Sequence, residues 1–462
     1  MAPSRNIHIL AAFGLALLLV SAGCETRDSL TRSRIKKVER GLLRAAYIKG
    51  TAPEKLTLSD RMAFYRVPGA GIAVIDGYGL EWAKGYGVKD LQTNAPVTTD
   101  TLFQAGSLMR PLVSALLLSL AEKGKLDSRP PQGGKDPSLW PLWVRSAGLA
   151  GPASPGLPRK EALPGLATLA AADPGWDPTG AKAGLVAVQQ MLLNKAGAPL
   201  PALMDASVFL PLSMTRSVCE VPLPADAEAR AALGHLRGGG MVEGGWMNYP
   251  VSAADGLWTT PTDYAAFLNG VVGDAMGKSA LALSPESART LLTPPAARGS
   301  LGFVFEGMGN DHFFRAQSRT AGYTAVACYF PALGRGAVVM TNSENGGLLG
   351  EEILRAIAAA YQWPHFAPAE KTLFRLDPSI IAEYVGDYEV TPDYSLHVTA
   401  EDYYLLIEPT GQARTKFYVE NETIFFSIDP FIRIQFRRDE ARKVNGLVLW
   451  QEDFEQKAVK VR

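Results

Sequence analysis

The chain has 462 residues, which is enough for two domains with sizeable cores. Its 46 basic and 46 acidic residues balance, and the sequence contains no basic run with interleaved aromatic residues, so we expect no nucleic-acid partner. The five histidines do not have metal-ligand spacing, and we therefore predict neither a metal site nor another cofactor.

The first 24 residues have the pattern of an export signal. Arg5 supplies a positive start, residues 7–20 form an apolar core too short to span a membrane, and three small residues precede Cys24. This pattern resembles a bacterial lipoprotein signal, which implies that Cys24 is lipidated and anchors the chain in the cell envelope, facing the periplasm. Ser21 departs from the usual aliphatic residue, so ordinary signal cleavage stays open, as does a buried N-terminal helix.

A polar tether over 25–33 is followed by a helical pattern and then by two strands. The apolar positions with helical spacing are Ile35, Val38, Leu42, Leu43 and Tyr47. Residues 71–76 and 80–88 alternate as strands do, and the glycines at 77 and 79 between them predict a hairpin turn.

The stretch Leu102–Leu120 combines a short β-prone start with a long apolar helical pattern. Ser107 stands at the junction, so we expect it at or near the N-terminus of a helix. Arg110 follows three positions later and therefore lies on the same helical face, one turn away. A simpler interpretation makes Ser107 a helix N-cap and Arg110 a solvated charge in the first turn.

The middle of the chain alternates between helical and strand patterns. Residues 128–175 are rich in Pro and Gly and weakly periodic, whereas four later segments have helical patterns: 183–195, 262–272, 285–292 and 348–361. Residues 324–330 and 337–341 predict a second hairpin, in which Cys328 belongs to the core rather than to a disulfide. Helices on both sides of an antiparallel sheet indicate an α+β fold.

The composition changes at a Pro-containing linker, residues 363–371, and the remainder, 372–462, forms short alternating segments. Seven strands are predicted, over residues 384–390, 395–399, 403–407, 415–419, 423–428, 432–437 and 447–451. Asn445-Gly446 predicts a tight turn between the last two strands. This part should be a separate small antiparallel barrel or sandwich.

The segment Arg66–Asp127 closely resembles the start of the β-lactamase-related serine hydrolases, which include class C β-lactamases, penicillin-binding proteins, D-alanyl-D-alanine carboxypeptidases and esterases. Later segments match in the same order, at Phe209–Ser217, Tyr249–Leu268 and Gly334–Gly347. The resemblance implies an α/β sandwich over 34–362 with an antiparallel sheet. It also implies a helical domain, shortened here, in which Arg145 replaces a family histidine, and a C-terminal β domain.

The family chemistry is acyl transfer through a serine ester, and the resemblance places the nucleophile at Ser107. The base is the lysine of a Ser-x-x-Lys motif, and its position is held here by Arg110. A guanidinium stays protonated at physiological pH, so Arg110 can bind a carboxylate but cannot accept the proton of Ser107.

The two other family motifs are altered as well. The Tyr-x-Asn position falls on Gly180-Ala181-Lys182, where Lys182 is either a substitute base or a solvated lysine. The Lys-Thr-Gly position falls on Ala316-Gln317-Ser318, which leaves Gln317 and Ser318 as candidate binding residues. Arg315 and Arg319 lie beside that motif but should point to the opposite face of the strand, as surface arginines. Tyr249 is a further candidate near the cleft, with packing as its simpler role.

Two functions follow from these substitutions. The first is a lipid-anchored, catalytically impaired member of the family, a pseudoenzyme, that uses the remaining cleft or the C-terminal β domain to bind a peptide, glycan or protein partner. A peptidoglycan-derived peptide or another small acyl compound is the candidate ligand. The alternative is an active serine hydrolase, whether esterase, peptidase or β-lactamase-like, that works through a Ser107 acyl-enzyme with a substitute base. A third interpretation makes the whole chain an envelope scaffold.

Overall fold

The computed structural model describes residues 28–126, 143–144, 146–148, 152–154, 156–165, 168, 181–195, 197–278, 280–281, 283–294, 300–451 and 454–461. The predicted signal with Cys24, and most of the Pro- and Gly-rich interval with Arg145 and Gly180, lie outside these residues. None of the helices in the described ranges is both long and apolar enough to cross a membrane.

Helices and strands alternate up to residue 361, and strands dominate after it. The helices are α1 (28–39), α2 (Leu58–Tyr65), α3 (Met109–Glu122), α4 (Ala181–Lys195), α5 (Leu200–Met204), α6 (Ala225–Glu228), α7 (Ser252–Asp255), α8 (Pro261–Ala275), α9 (Pro285–Leu291), α10 (Gly346–Tyr361) and α11 (Pro378–Glu383). The strands of the first part are β1 (Ala46–Ile48), β2 (Gly69–Asp76), β3 (Gly79–Asp90), β4 (Ala95–Pro96), β5 (Phe103–Gly106), β6 (Leu157–Pro158), β7 (Met247–Asn248), β8 (Leu257–Thr259), β9 (Val304–Glu306), β10 (Phe313–Thr320), β11 (Tyr323–Phe330), β12 (Arg335–Thr341) and β13 (Ala369–Lys371).

An antiparallel sheet with the order β4-β3-β2-β12-β11-β10-β9 forms the centre of the first part. Its central strand β11 is buried along its whole length, so both of its faces are covered by other parts of the protein. Helices α2 and α10 cover one face and α8 covers the other, so a hydrophobic core lies on each side of the sheet. The fold is therefore the predicted α/β sandwich, and both predicted hairpins, β2–β3 and β11–β12, are confirmed.

The first helix begins and ends earlier than predicted, since it starts at residue 28, inside the segment 25–33 that was predicted as a polar tether. Residues 28–39 are helical, but Tyr47 lies in β1, which pairs in parallel with β13 of the linker. The apolar spacing had predicted a helix through Tyr47. That prediction was wrong because the pairing partner lies more than 320 residues away in the chain, at Glu370.

Both cysteines of the described chain, Cys219 and Cys328, are buried and free. Cys328 lies in β11, where burial raises the pKa of its thiol to about 12. The prediction that Cys328 is a core residue is confirmed.

The last part of the chain is a closed antiparallel barrel of eight strands, β14 to β21. They span Gly386–Thr391, Tyr394–Glu401, Tyr404–Pro409, Thr415–Val419, Ile424–Ile428, Phe431–Arg438, Val444–Gln451 and Phe454–Lys460. The sequence predicted seven of these strands and missed β21, which closes the barrel by pairing with both β14 and β20.

The turn predicted at Asn445-Gly446 is in a different place. These residues lie inside β20, at an irregularity in its pairing with β19. The chain reverses instead over 439–443, where the Lys443 amide donates to the Asp439 carboxylate at 2.8 Å and Arg442 adopts a left-handed φ of 64°. The side chain of Asp439 thus stabilises a longer turn than the Asn-Gly pair would form.

A buried ionic network joins the barrel to the sandwich. Arg61 of α2 contacts both carboxylate oxygens of Glu352 in α10 at 2.7 Å, and it also binds Asp429 of the barrel at 2.6 and 2.9 Å. Arg44 binds the same Asp429 at 2.8 Å. Charged groups removed from water in this way need partners, so the network fixes where the barrel contacts the sandwich.

Candidate active site

Ser107 lies in a tight turn between β5 and α3. Gly106 has a left-handed φ of 46°, and Leu108, not Ser107, is the N-cap residue of α3, with no side-chain capping bond. The structure places Ser107 just before the helix, as predicted, but not in the simpler N-cap role. Its side chain is half-buried and faces an open cleft.

Both hydrogen-bonding groups of Ser107 that matter for acyl transfer are engaged with β10. The hydroxyl donates to the carbonyl oxygen of Gln317 at 3.2 Å, and the backbone amide donates to the hydroxyl oxygen of Ser318 at 3.0 Å. A serine nucleophile needs its hydroxyl proton taken by a base and a free amide for the developing oxyanion. Here the proton points at a carbonyl, which is not a base, and the amide already has an acceptor.

Arg110, at the family lysine position, lies in a buried ion pair. One guanidinium nitrogen contacts the Asp255 carboxylate at 3.1 Å, and both side chains are almost fully shielded from water, with exposures of 2% and 0%. Burial raises the pKa of Asp255 above its ordinary value, while Arg110 and the Ala153 amide, which donates at 2.5 Å, favour the ionised form. The pair therefore compensates the charge of Arg110, and the guanidinium itself cannot accept the proton of Ser107.

Sequence reasoning missed Asp255. It ends the short helix α7, which α4 supports because the Gln189 side chain accepts from the Ala253 amide at 2.9 Å and donates to the Pro250 carbonyl at 3.1 Å. The signal was an acidic residue inside the largely apolar segment Tyr249–Trp258, since an arginine buried in a core requires a carboxylate partner.

Two other candidates do not belong to the cleft wall formed by the described residues. Lys182 is the second residue of α4 and is half-buried, and it is not among the described residues that line the cleft. Tyr249 is buried, and its hydroxyl oxygen accepts from the Ala321 amide at 3.0 Å. Burial raises the pKa of Tyr249 to about 12, so its phenol stays protonated near neutral pH.

The side chains of β10 alternate between a buried face on the side of Ser107 and a more exposed face. Ala316 and Ser318 are buried on the side of Ser107, whereas Gln317 is exposed. Arg315 lies on the other face, as the strand alternation predicted, but it is not the predicted surface arginine, because its half-buried side chain forms an ion pair with Glu351 of α10 and lies 3.6 Å from Glu306. No cation from the third motif therefore points toward Ser107, because Ala316 occupies the lysine position.

The cleft is large and runs from Ser107 to the barrel. Its volume is about 1010 Å³. Its lining includes Ser107, Arg110, Gln317 and Ser318 at one end, and barrel residues at the other. Within the described ranges, no group of three or more His, Cys, Asp or Glu side chains has the arrangement of a metal site.

An α/β sandwich with a serine at the turn between β5 and the buried helix α3, held against β10 of the main sheet, matches the serine-hydrolase class of β-lactamases and penicillin-binding proteins. The family model described as Beta-lactamase matches residues 56–362, about two thirds of the chain. The chain belongs to this β-lactamase family.

The chain is also similar to a curated protein and to several solved structures. Protein Rv1367c of Mycobacterium tuberculosis is 27% identical over 253 residues, which cover 45% of this chain and 63% of that protein, so the chain spans less than two thirds of that relative. A solved octameric penicillin-binding protein homologue from Pyrococcus abyssi has a TM-score of 0.54 at 16% identity and covers 87% of this chain and 98% of its own. The D-alanine carboxypeptidase AmpC from Burkholderia cenocepacia has a TM-score of 0.52 at 19% identity, covering 66% and 96%. These structures share the fold.

Proposed function

We propose that the chain is a lipoprotein of the bacterial cell envelope, anchored through Cys24 and facing the periplasm, that binds ligands in the family cleft while its acyl-transfer chemistry is impaired. The ligand class we propose is a peptidoglycan-derived peptide or another small acyl compound. The size of the cleft supports this, since volumes of about 300–1,000 Å³ are typical of small-molecule sites.

The ion pair between Arg110 and Asp255 supports impaired catalysis most directly. General-base catalysis contributes about 10²–10⁴-fold to such reactions, and the residue at the base position is a permanently charged guanidinium paired with a buried carboxylate. The hydrogen bond from the Ser107 amide to Ser318 adds to this effect, because a substrate oxygen has to displace that hydroxyl before it can reach the amide.

The competing function is an active hydrolase in which Lys182 acts as the base. Covalent labelling of the purified chain from residue 25 onward with a fluorophosphonate and with a fluorescent penicillin separates the two. We expect no stoichiometric labelling between pH 6 and 10, and the same trace signal for Ser107→Ala as for the unmodified protein. Rapid, stoichiometric labelling that Ser107→Ala abolishes would show an active enzyme and overturn the proposed impairment.

A binding measurement completes the test. Titration calorimetry with Nα,Nε-diacetyl-Lys-D-Ala-D-Ala should detect association without release of D-alanine. The Ser107→Ala variant should bind equally well, because its hydroxyl is not needed for binding. Release of D-alanine by the unmodified protein alone would instead support the active carboxypeptidase.

A further inference from the structure

The cleft continues beyond the region of Ser107 to a second end between α10 and the barrel. This end is lined by Ala45, Tyr65, Arg355, Ile428 and Phe431. The family chemistry uses none of them. Ile428 and Phe431 flank the turn that carries Asp429, so the ionic network with Arg61 fixes their position in the wall.

The carboxylates near this end already have cationic partners. Glu352 is neutralised by Arg61 at 2.7 Å, and Glu351 by Arg315. Asp429 is bound by both Arg61 and Arg44. These acidic groups are therefore compensated within the protein.

Arg355, unlike the arginines just named, has no carboxylate partner among the described residues. It lies in α10, and its guanidinium makes one long contact among the described residues, 3.5 Å to the carbonyl oxygen of Leu43. No carboxylate of the described chain lies within ion-pair distance of it. Burial lowers the pKa of Arg355 from its ordinary value, and nearby Glu351 and Glu352 only partly offset this. A guanidinium remains charged even so, and the cleft leaves room for an anionic partner.

We propose that the group bound at Arg355 is a ligand carboxylate, with Ile428 and Phe431 forming an apolar wall beside the carbon skeleton of the ligand. A carboxylate matches the planar guanidinium in a two-pronged ion pair. A monoanion fits better than a phosphate dianion, because Arg61 and Arg315 are already paired with Glu352 and Glu351, so Arg355 offers the ligand a single positive charge. This inference deepens the proposed function and rests on it, since it names the chemistry that the cleft recognises.

The test uses a small probe for this subsite alone. Titration calorimetry of the chain from residue 25 onward should show that 4-phenylbutyrate binds at least tenfold more tightly than 4-phenylbutyramide, which has the same shape without the charge. Arg355→Gln should remove this preference. Arg355→Lys should retain part of it, and Arg414→Gln, which changes an exposed ion pair on the barrel, should leave it intact.

Each outcome decides the inference. Binding of 4-phenylbutyrate that is absent, equal to that of the amide, or unchanged in Arg355→Gln overturns it, and circular dichroism of each variant verifies the fold. If Arg355→Gln does not fold, Phe431→Ala must weaken both probes for the inference to stand. The proposed function is tested by a different measurement. Stoichiometric labelling of Ser107 would contradict impaired catalysis, whether or not 4-phenylbutyrate binds.

Discussion

Arg110 holds the position of the family lysine, and the proposed impairment depends on the charge at this position. Replacing Arg110 with lysine restores the family residue, but Asp255 would hold the ammonium in its charged form, because an opposite charge raises a lysine pKa. We expect Arg110→Lys to label with a fluorophosphonate about as slowly as the unmodified protein. Arg110→Lys combined with Asp255→Asn should label about 10²-fold faster.

The second substitution keeps the hydrogen bond to the Ala153 amide, because the Asn side chain still offers an oxygen. The labelling rate of the double variant should rise with pH as the buried amine loses its proton, which pseudo-first-order rates between pH 6 and 10 will show. Equal rates for the single and double variants would mean that Asp255 does not control the charge at this position.

Ser318 controls access to the Ser107 amide. Removing its hydroxyl by Ser318→Ala should let the oxygen of a serine-bound boronate accept from that amide without competition. We expect phenylboronic acid to bind about fivefold more tightly, since one net hydrogen bond contributes about 1 kcal/mol. The Ser318→Thr variant keeps the hydroxyl and is the matched control. Identical affinities for the alanine and threonine variants would remove Ser318 from this role.

At the scale of elements, the turn between β5 and α3 requires a glycine. A Cβ atom at Gly106 would lie 2.6 Å from both the Ser318 hydroxyl and a methyl of Thr320, in addition to the left-handed φ of 46°. Gly77 has a left-handed φ of 63° with nothing within 4 Å of such an atom. An alanine at Gly77 would therefore meet conformational strain alone, whereas an alanine at Gly106 would also meet a steric clash.

We expect Gly77→Ala to cost about 1 kcal/mol of unfolding free energy, since only the backbone conformation opposes it. Gly106→Ala should cost at least about 1 kcal/mol more, because β10 must also move away. Urea unfolding of both variants measures the difference. Equal losses of unfolding free energy would show that β10 can move away from residue 106 without a measurable cost.

For the whole molecule, the ionic network around Arg61 determines how the barrel meets the sandwich. Arg61→Leu leaves Glu352 buried without its partner and removes two contacts to Asp429. We expect a loss of about 3–5 kcal/mol in urea unfolding, together with faster proteolysis at the linker 363–371. Arg414→Leu, at an exposed ion pair, should cost less than about 1 kcal/mol. Similar losses in the two variants would refute a structural role for the network.

Much of the architecture followed from local patterns. The strand alternation of β2–β3 and β11–β12, the helical spacing of α4, α8 and α10, and the family segments were all readable, because periodicity depends on neighbours close in the chain. The turn between β19 and β20 was misplaced because Asn-Gly favours a turn only where no strand pairing competes, and here residues 444–446 pair with β19. Strand β21 was missed because it is defined by its pairing with β14 and β20.

The sequence by itself determined the family and predicted that Arg110 holds the position of the catalytic lysine, because both depend on residue identity and spacing. Only the tertiary structure decided that Asp255, 145 residues away, neutralises Arg110, and that Ser318, 211 residues away, occupies the Ser107 amide. It likewise placed Arg355 beside the barrel. The physical reason is that charge compensation and hydrogen-bond occupancy depend on distances in space, which residue spacing along the chain does not contain.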